Sequence, residues 1–138
     1  KMTPSAIQVG DIRVHLLDGG RLKLDGGAMF GIIPRALWQR LTTPDERNRI
    51  EIGCTCALIE TAGRRILVDT GVGNKYGGKD RDIFAISDHW LLDSLHTAGI
   101  EPESIDTVIL THLHFDHAGG ATRMDEAERP VPTFPRAT

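Results

Sequence analysis

Cysteines, aromatic residues and long apolar runs are all scarce in this chain, and each shortage removes a class of protein. Two cysteines in 138 residues, Cys54 and Cys56, cannot build a disulfide scaffold. No apolar run approaches the roughly 18 residues that a membrane span requires. Neither sign of charge dominates: 16 basic and 19 acidic residues leave a formal charge of −3. That balance argues against a nucleic-acid binder working through a broad basic face. The first thirty residues hold Asp11, Arg13, Asp18, Arg21, Lys23 and Asp25 and no apolar segment of signal-peptide type. With 40% hydrophobic and 25% charged residues, the expectation is one ordinary soluble domain, cytoplasmic, with neither a nucleic-acid nor a membrane partner. Lys1 ahead of Met2 reads as a tag remnant. Pro130, Pro132 and Pro135 give the last residues a loop-like character.

The hydrophobic pattern is mixed. Residues 5–17 read as a strand pair about a turn at Gly10-Asp11, since Ile12, Val14 and Leu16 alternate with Arg13 and His15. Residues 26–33 (GGAMFGII) read as a glycine-rich apolar loop, and 34–41 as a short helix opening on Pro34. Residues 50–60 and 64–69 form the clearest hairpin, turning at Thr61-Ala62-Gly63. A polar loop is expected over 72–86. A helix follows over 88–98, with Leu91, Leu92 and Leu95 on one face and Gly99 ending it. Thr107–Leu110 is a short β-branched strand of the buried kind. This order favours an α/β fold, a mixed sheet with flanking helices.

The chemistry concentrates in Thr111–His117, which reads THLHFDH. Three of the six histidines lie within this stretch, interleaved with an aspartate. Neutral imidazole is a common zinc ligand, and a carboxylate adds hard oxygen character. His112 and His114 are two apart, so in extended backbone they point to one side. Asp116 and His117 are adjacent and project differently, as donors to a second nearby ion would. Three imidazoles and a carboxylate packed together without a cation would leave polar groups and charge uncompensated. Gly119 and Gly120 then permit close backbone approach.

THLHFDHAGG at 111–120, with ILVDTG at 66–71, resembles the metallo-β-lactamase superfamily. LDGGAMFGIIPRALW at 24–38, PDERNRIEI at 44–52 and VPTFPRA at 131–137 look like the branch containing quorum-quenching N-acyl-homoserine lactonases. The resemblance implies half of an αββα sandwich, with residues 1–138 as its N-terminal half and the C-terminal half absent. It implies His112 and His114 on one zinc, Asp116 and His117 on the other, and Asp69 orienting ligands from behind them. Two zinc ions per intact domain are implied. The family takes three further ligands from its second half, and no histidine follows His117 here. Zinc is therefore expected to be partial or absent in this chain. The uncovered sheet face invites a homo-oligomer or pairing with the missing half.

The implied function is zinc-dependent hydrolysis of a small-molecule ester or lactone, such as an acyl-homoserine lactone. A metal-bound hydroxide would attack, and Asp116 would shuttle a proton. The alternatives are a β-lactamase, thioesterase or phosphotriesterase of the same fold, or an inactive half-domain acting only by association. Met29 and Phe30 are candidates for an apolar lip over an acyl chain. Cys54 and Cys56 share one strand face and read as core. Tyr76 reads as a surface-loop residue. His89 and His96, seven apart, read as surface or interface positions on one helix face, and His15 as lying on the wetter face of its strand.

Overall fold

The computed structural model describes residues 5–138, so the expectation for Lys1 lies outside the described residues. A five-stranded sheet carries the molecule. Its strands are β1 (Ser5–Val9), β2 (Ile12–Asp25), β3 (Arg49–Thr61), β4 (Arg64–Val68) and β5 (Thr107–Ile109), ordered as numbered. The first four are antiparallel neighbours, and β5 joins β4 in parallel, with Val68 opposite Ile109. A separate two-stranded ribbon pairs β6 (Thr122–Met124) with β7 (Pro130–Pro132). No helix among the described residues is long and apolar enough to cross a membrane.

The hairpins follow from their turn residues. Ala62 and Gly63 both take positive φ (47° and 73°), which matches the twist of strands joined by a two-residue loop. β2 runs eight residues past the expected strand end, interrupted by a register shift between Asp18 and Arg21. Gly19 and Gly20 absorb that shift. Gly20 sits at φ 105°, and a Cβ there would lie 2.9 Å from the His89 carbonyl oxygen.

Five short helices connect the strands: α1 (Gly26–Phe30), α2 (Arg35–Trp38), α3 (Gly78–Phe84), α4 (Leu91–Thr97) and α5 (Phe115–Ala118). Two lie in segments expected to be loops. The first turn of α1 is capped by Asp25, whose Oδ1 accepts from Ala28 N at 2.8 Å. The last turn of α3 is tied down from a distance: Arg49 Nη1 donates to the carbonyls of Asp82 and Ile83 at 2.7 and 2.6 Å. Ala85 closes α3 in the left-handed region. The α4 register agrees with the expected apolar face, although the helix begins only at Leu91, so His89 lies ahead of it.

Burial alternates along β3, with Cys54, Cys56 and Leu58 facing inward. Leu17, Cys56, Leu58 and Leu67 from the sheet pack on Trp90, Leu91, Leu92 and Leu95, closed by Ile100, Ile105 and Phe134. A second cluster, Leu22, Cys54, Val72 and Ile86, extends towards Tyr76, Phe84 and Phe115. Both cysteines are therefore core residues, as the sequence suggested. His15 is less wet than its alternation implied: it is half-buried, with Nε2 2.8 Å from Glu60 Oε2. His89 is half-buried as well, 3.2 Å from Ser94 Oγ, while His96 is exposed.

Candidate metal centre

The parallel pair β4 and β5 ends at one place, and the donors collect there. Asp69 follows β4 directly, and its N–H donates to the Ile109 carbonyl at 2.8 Å. Its φ of 59° lies in the left-handed region, which aspartate tolerates better than most residues. The side chain is buried and fully engaged. Oδ1 accepts from Thr111 N at 2.8 Å, and the Thr111 hydroxyl lies 3.0 and 2.8 Å from Oδ1 and Oδ2. Oδ2 accepts from His117 Nδ1 at 2.8 Å. Burial pushes the Asp69 carboxyl pKa up, but the hydrogen bonds from His117 and Thr111 outweigh it and hold the group below its ordinary value.

Past β5 the chain is extended through His112 and His114, then turns into the single-turn helix α5. His112 packs against both other motif histidines, with ring centroids 4.6 Å from His114 and 4.0 Å from His117. His117 Nε2 lies 3.5 Å from Asp116 Oδ2. The cleft they line has a volume of about 500 Å³ and is completed by Leu24, Met29 and Phe115. One wall is imidazole and carboxylate, and the rest is apolar. Met29 belongs to this cleft. Phe30 does not line it: its ring stacks on Trp38 at 5.1 Å, nearly parallel.

Residues 69–76 form the floor that holds α5. Thr70 donates to the His117 carbonyl twice, from N at 2.7 Å and from Oγ1 at 2.8 Å. Gly120 N donates to the Gly71 carbonyl at 2.9 Å. The two segments are so close that a Cβ at Gly120 would collide with the Thr70 carbonyl, and one at Gly119 with that of Val72. Lys75 Nζ donates to the carbonyls of Gly119 and Thr122. Tyr76 lies in a loop, as expected, but is half-buried rather than on the surface: it packs edge-on against Phe115, with centroids 5.8 Å apart. Burial, and then the carboxylates of Asp80 and Asp116, push its phenol pKa up. Sequence reasoning missed Thr70, Thr111 and Lys75. Thr111 adjoins the histidine motif, which was its only signal, and the partners of the other two are backbone carbonyls far along the chain.

The donor types suit zinc. The bond from His117 Nδ1 to Asp69 leaves Nε2 of the neutral ring with its lone pair close to the Asp116 carboxylate. A cation between the two would relieve that repulsion. The donor number is short. Among the described residues, no three or more His, Cys, Asp or Glu side chains are arranged to hold an ion. The four motif residues lie together with His112 nearer to the His117 ring than to that of His114, whereas zinc takes four ligands, or three with an open position.

Comparison with known proteins places the fold. A solved structure of a probable metal-dependent hydrolase from Staphylococcus aureus is 38% identical, with a TM-score of 0.83 over 95% of this chain and 47% of its own. The dizinc quorum-quenching lactonase AidC, solved with N-hexanoyl-L-homoserine as product, is 27% identical. Its TM-score is 0.71 over 97% of this chain and 42% of its own. A transcription termination factor, FttA of Methanothermobacter thermautotrophicus, is 34% identical over 82 residues, 59% of this chain and 11% of that protein. The chain thus spans less than half the length of each of these relatives. The family model for the metallo-β-lactamase superfamily matches residues 49–133, from the start of β3 past β7, and the chain belongs to that superfamily.

Proposed function

We propose that this chain supplies part of the active site of a metal-dependent hydrolase that opens an ester or lactone, with an N-acyl-homoserine lactone as the favoured substrate. The observation that carries this reading is the cleft itself, where His112, His114, Asp116 and His117 face apolar Leu24, Met29 and Phe115. In this reading His112 and His114 hold one zinc ion, and Asp116 and His117 hold a second. Further donors come from polypeptide beyond these residues. Bound zinc supplies Lewis acidity and lowers the pKa of a water molecule towards neutrality.

The chain's own residues have separable tasks. Asp69 fixes the His117 ring through Nδ1, so that Nε2 is the nitrogen presented to the cleft. Asp116 Oδ2, beside His117 Nε2, is placed to take the proton of the attacking water and pass it to the departing alkoxide. Leu24 and Met29 give an acyl chain an apolar surface next to the reacting carbonyl.

The test is lactone opening by the full-length protein, followed as acid release, with zinc measured on the same sample. Turnover that disappears on chelation and returns with zinc is the expected result. About two bound zinc ions with no opening of any lactone or simple ester would overturn the proposed activity.

A further inference from the structure

We infer that Lys75 and Tyr76 are positioning residues for the Asp116–His117 pair, gripping α5 on either side of those two donors. The inference rests on the metal-binding reading above. α5 has only four residues, Phe115–Ala118, and a single turn is not self-supporting. Its geometry therefore has to be imposed from outside. Tyr76 acts ahead of the donors, with its ring edge-on against Phe115 at 5.8 Å. The Phe84 ring also packs on Phe115, with centroids 5.0 Å apart, so Phe115 meets two aromatics. Lys75 acts behind the donors: its ammonium donates to the Gly119 and Thr122 carbonyls, just past the end of the helix. The same ammonium lies 5.7 Å from the centroid of the Tyr76 ring, which couples the two grips.

Adjacent residues thus reach opposite ends of one helical turn, and the donors lie between them. Asp69 and Thr70 already hold His117 by its ring and its carbonyl, and Thr70 also lies against Gly120, but Phe115 and the carbonyls of Gly119 and Thr122 take other partners. Lys75 and Tyr76 add those two contacts. Without them, α5 loses the tie beyond its last turn and one of the two aromatic contacts on Phe115, and the Asp116 carboxylate is held less firmly against the His117 ring.

The test uses cobalt(II) as the probe, followed by its visible ligand-field bands. Lys75→Met and Tyr76→Leu are compared with wild type, with Tyr76→Phe as the conservative variant. Ile100→Val, in the main core cluster and not lining the cleft, serves as a control for general destabilisation. Lys75→Met and Tyr76→Leu are expected to weaken cobalt binding about 10-fold or more and to shift the bands. Tyr76→Phe and Ile100→Val should bind as wild type does. Unchanged affinity and spectrum in Lys75→Met and Tyr76→Leu would overturn the inference. A full-length wild-type protein that takes up no cobalt would overturn the metal-binding reading instead. The inference is then decided in the metal-free chain by the His117 Nδ1–H resonance. Faster solvent exchange of that proton in both variants, but not in Ile100→Val, supports positioning, and unchanged exchange refutes it.

Discussion

The Asp69 carboxylate accepts a hydrogen bond from His117 Nδ1 at 2.8 Å across a separation of 48 residues. Asp69→Asn keeps the shape but presents an amide where an ionised acceptor stood, and it can set an N–H against Nδ1. The expected result is a change of His117 tautomer, seen in the nitrogen shifts of the ring, with zinc affinity lowered about 10–100-fold. An unchanged tautomer would show that the ring is oriented by something else.

Glycine is required where α5 meets the floor. Gly120→Ala drives a Cβ into the Thr70 carbonyl, which is backbone and cannot swing aside. A loss of about 2–3 kcal/mol in urea unfolding is expected. Gly53→Ala, on a strand position with open space around it, should stay within about 0.5 kcal/mol of wild type.

Glu60 gives the fold a dependence on acid. Hydrogen bonds from His15 and then Arg65 hold its carboxyl below the ordinary glutamate value, against a smaller opposing effect of burial. The pKa is lower folded than unfolded, so the stabilisation is present above the unfolded value and is lost as pH falls through the folded one. Glu60→Gln should therefore cost about 0.2–1 kcal/mol at pH 7 and progressively less in acid. Denaturant melts of both proteins between pH 3 and 7 measure the difference, and a gap that widens in acid contradicts the assignment.

The cysteines should be silent in the native state. Burial pushes the Cys54 thiol up to about 11, and burial raises Cys56 further still. A thiol reagent at pH 8 is expected to modify neither until denaturant opens the sheet, after which both react. Rapid native-state labelling would mean that β3 opens locally.

What the sequence made legible was periodic or compositional. The β3–β4 hairpin, the leucine face of α4 and the histidine motif each declare themselves within a dozen residues. The missed elements depend on distant partners. α1 begins with two glycines and is fixed by Asp25 and by the Trp38 ring against Gly26. α3 ends where Arg49, more than thirty residues earlier, reaches its carbonyls. Tyr76 looked like a surface residue because nothing within its own segment reveals Phe115. Of the candidate site, the gathering of His112, His114, Asp116, His117 and Asp69 was readable, whereas Thr70, Thr111 and Lys75 act on backbone or on Asp69 and carry no pattern of their own.

β4 and β5 stop side by side, and every donor hangs from their ends or from the floor that follows β4. Amide protection at Leu67 and Val108 should accordingly report on the cleft as well as on the sheet. Opening of this one parallel pair is expected to disperse His112, His114, Asp116 and His117 in the same event.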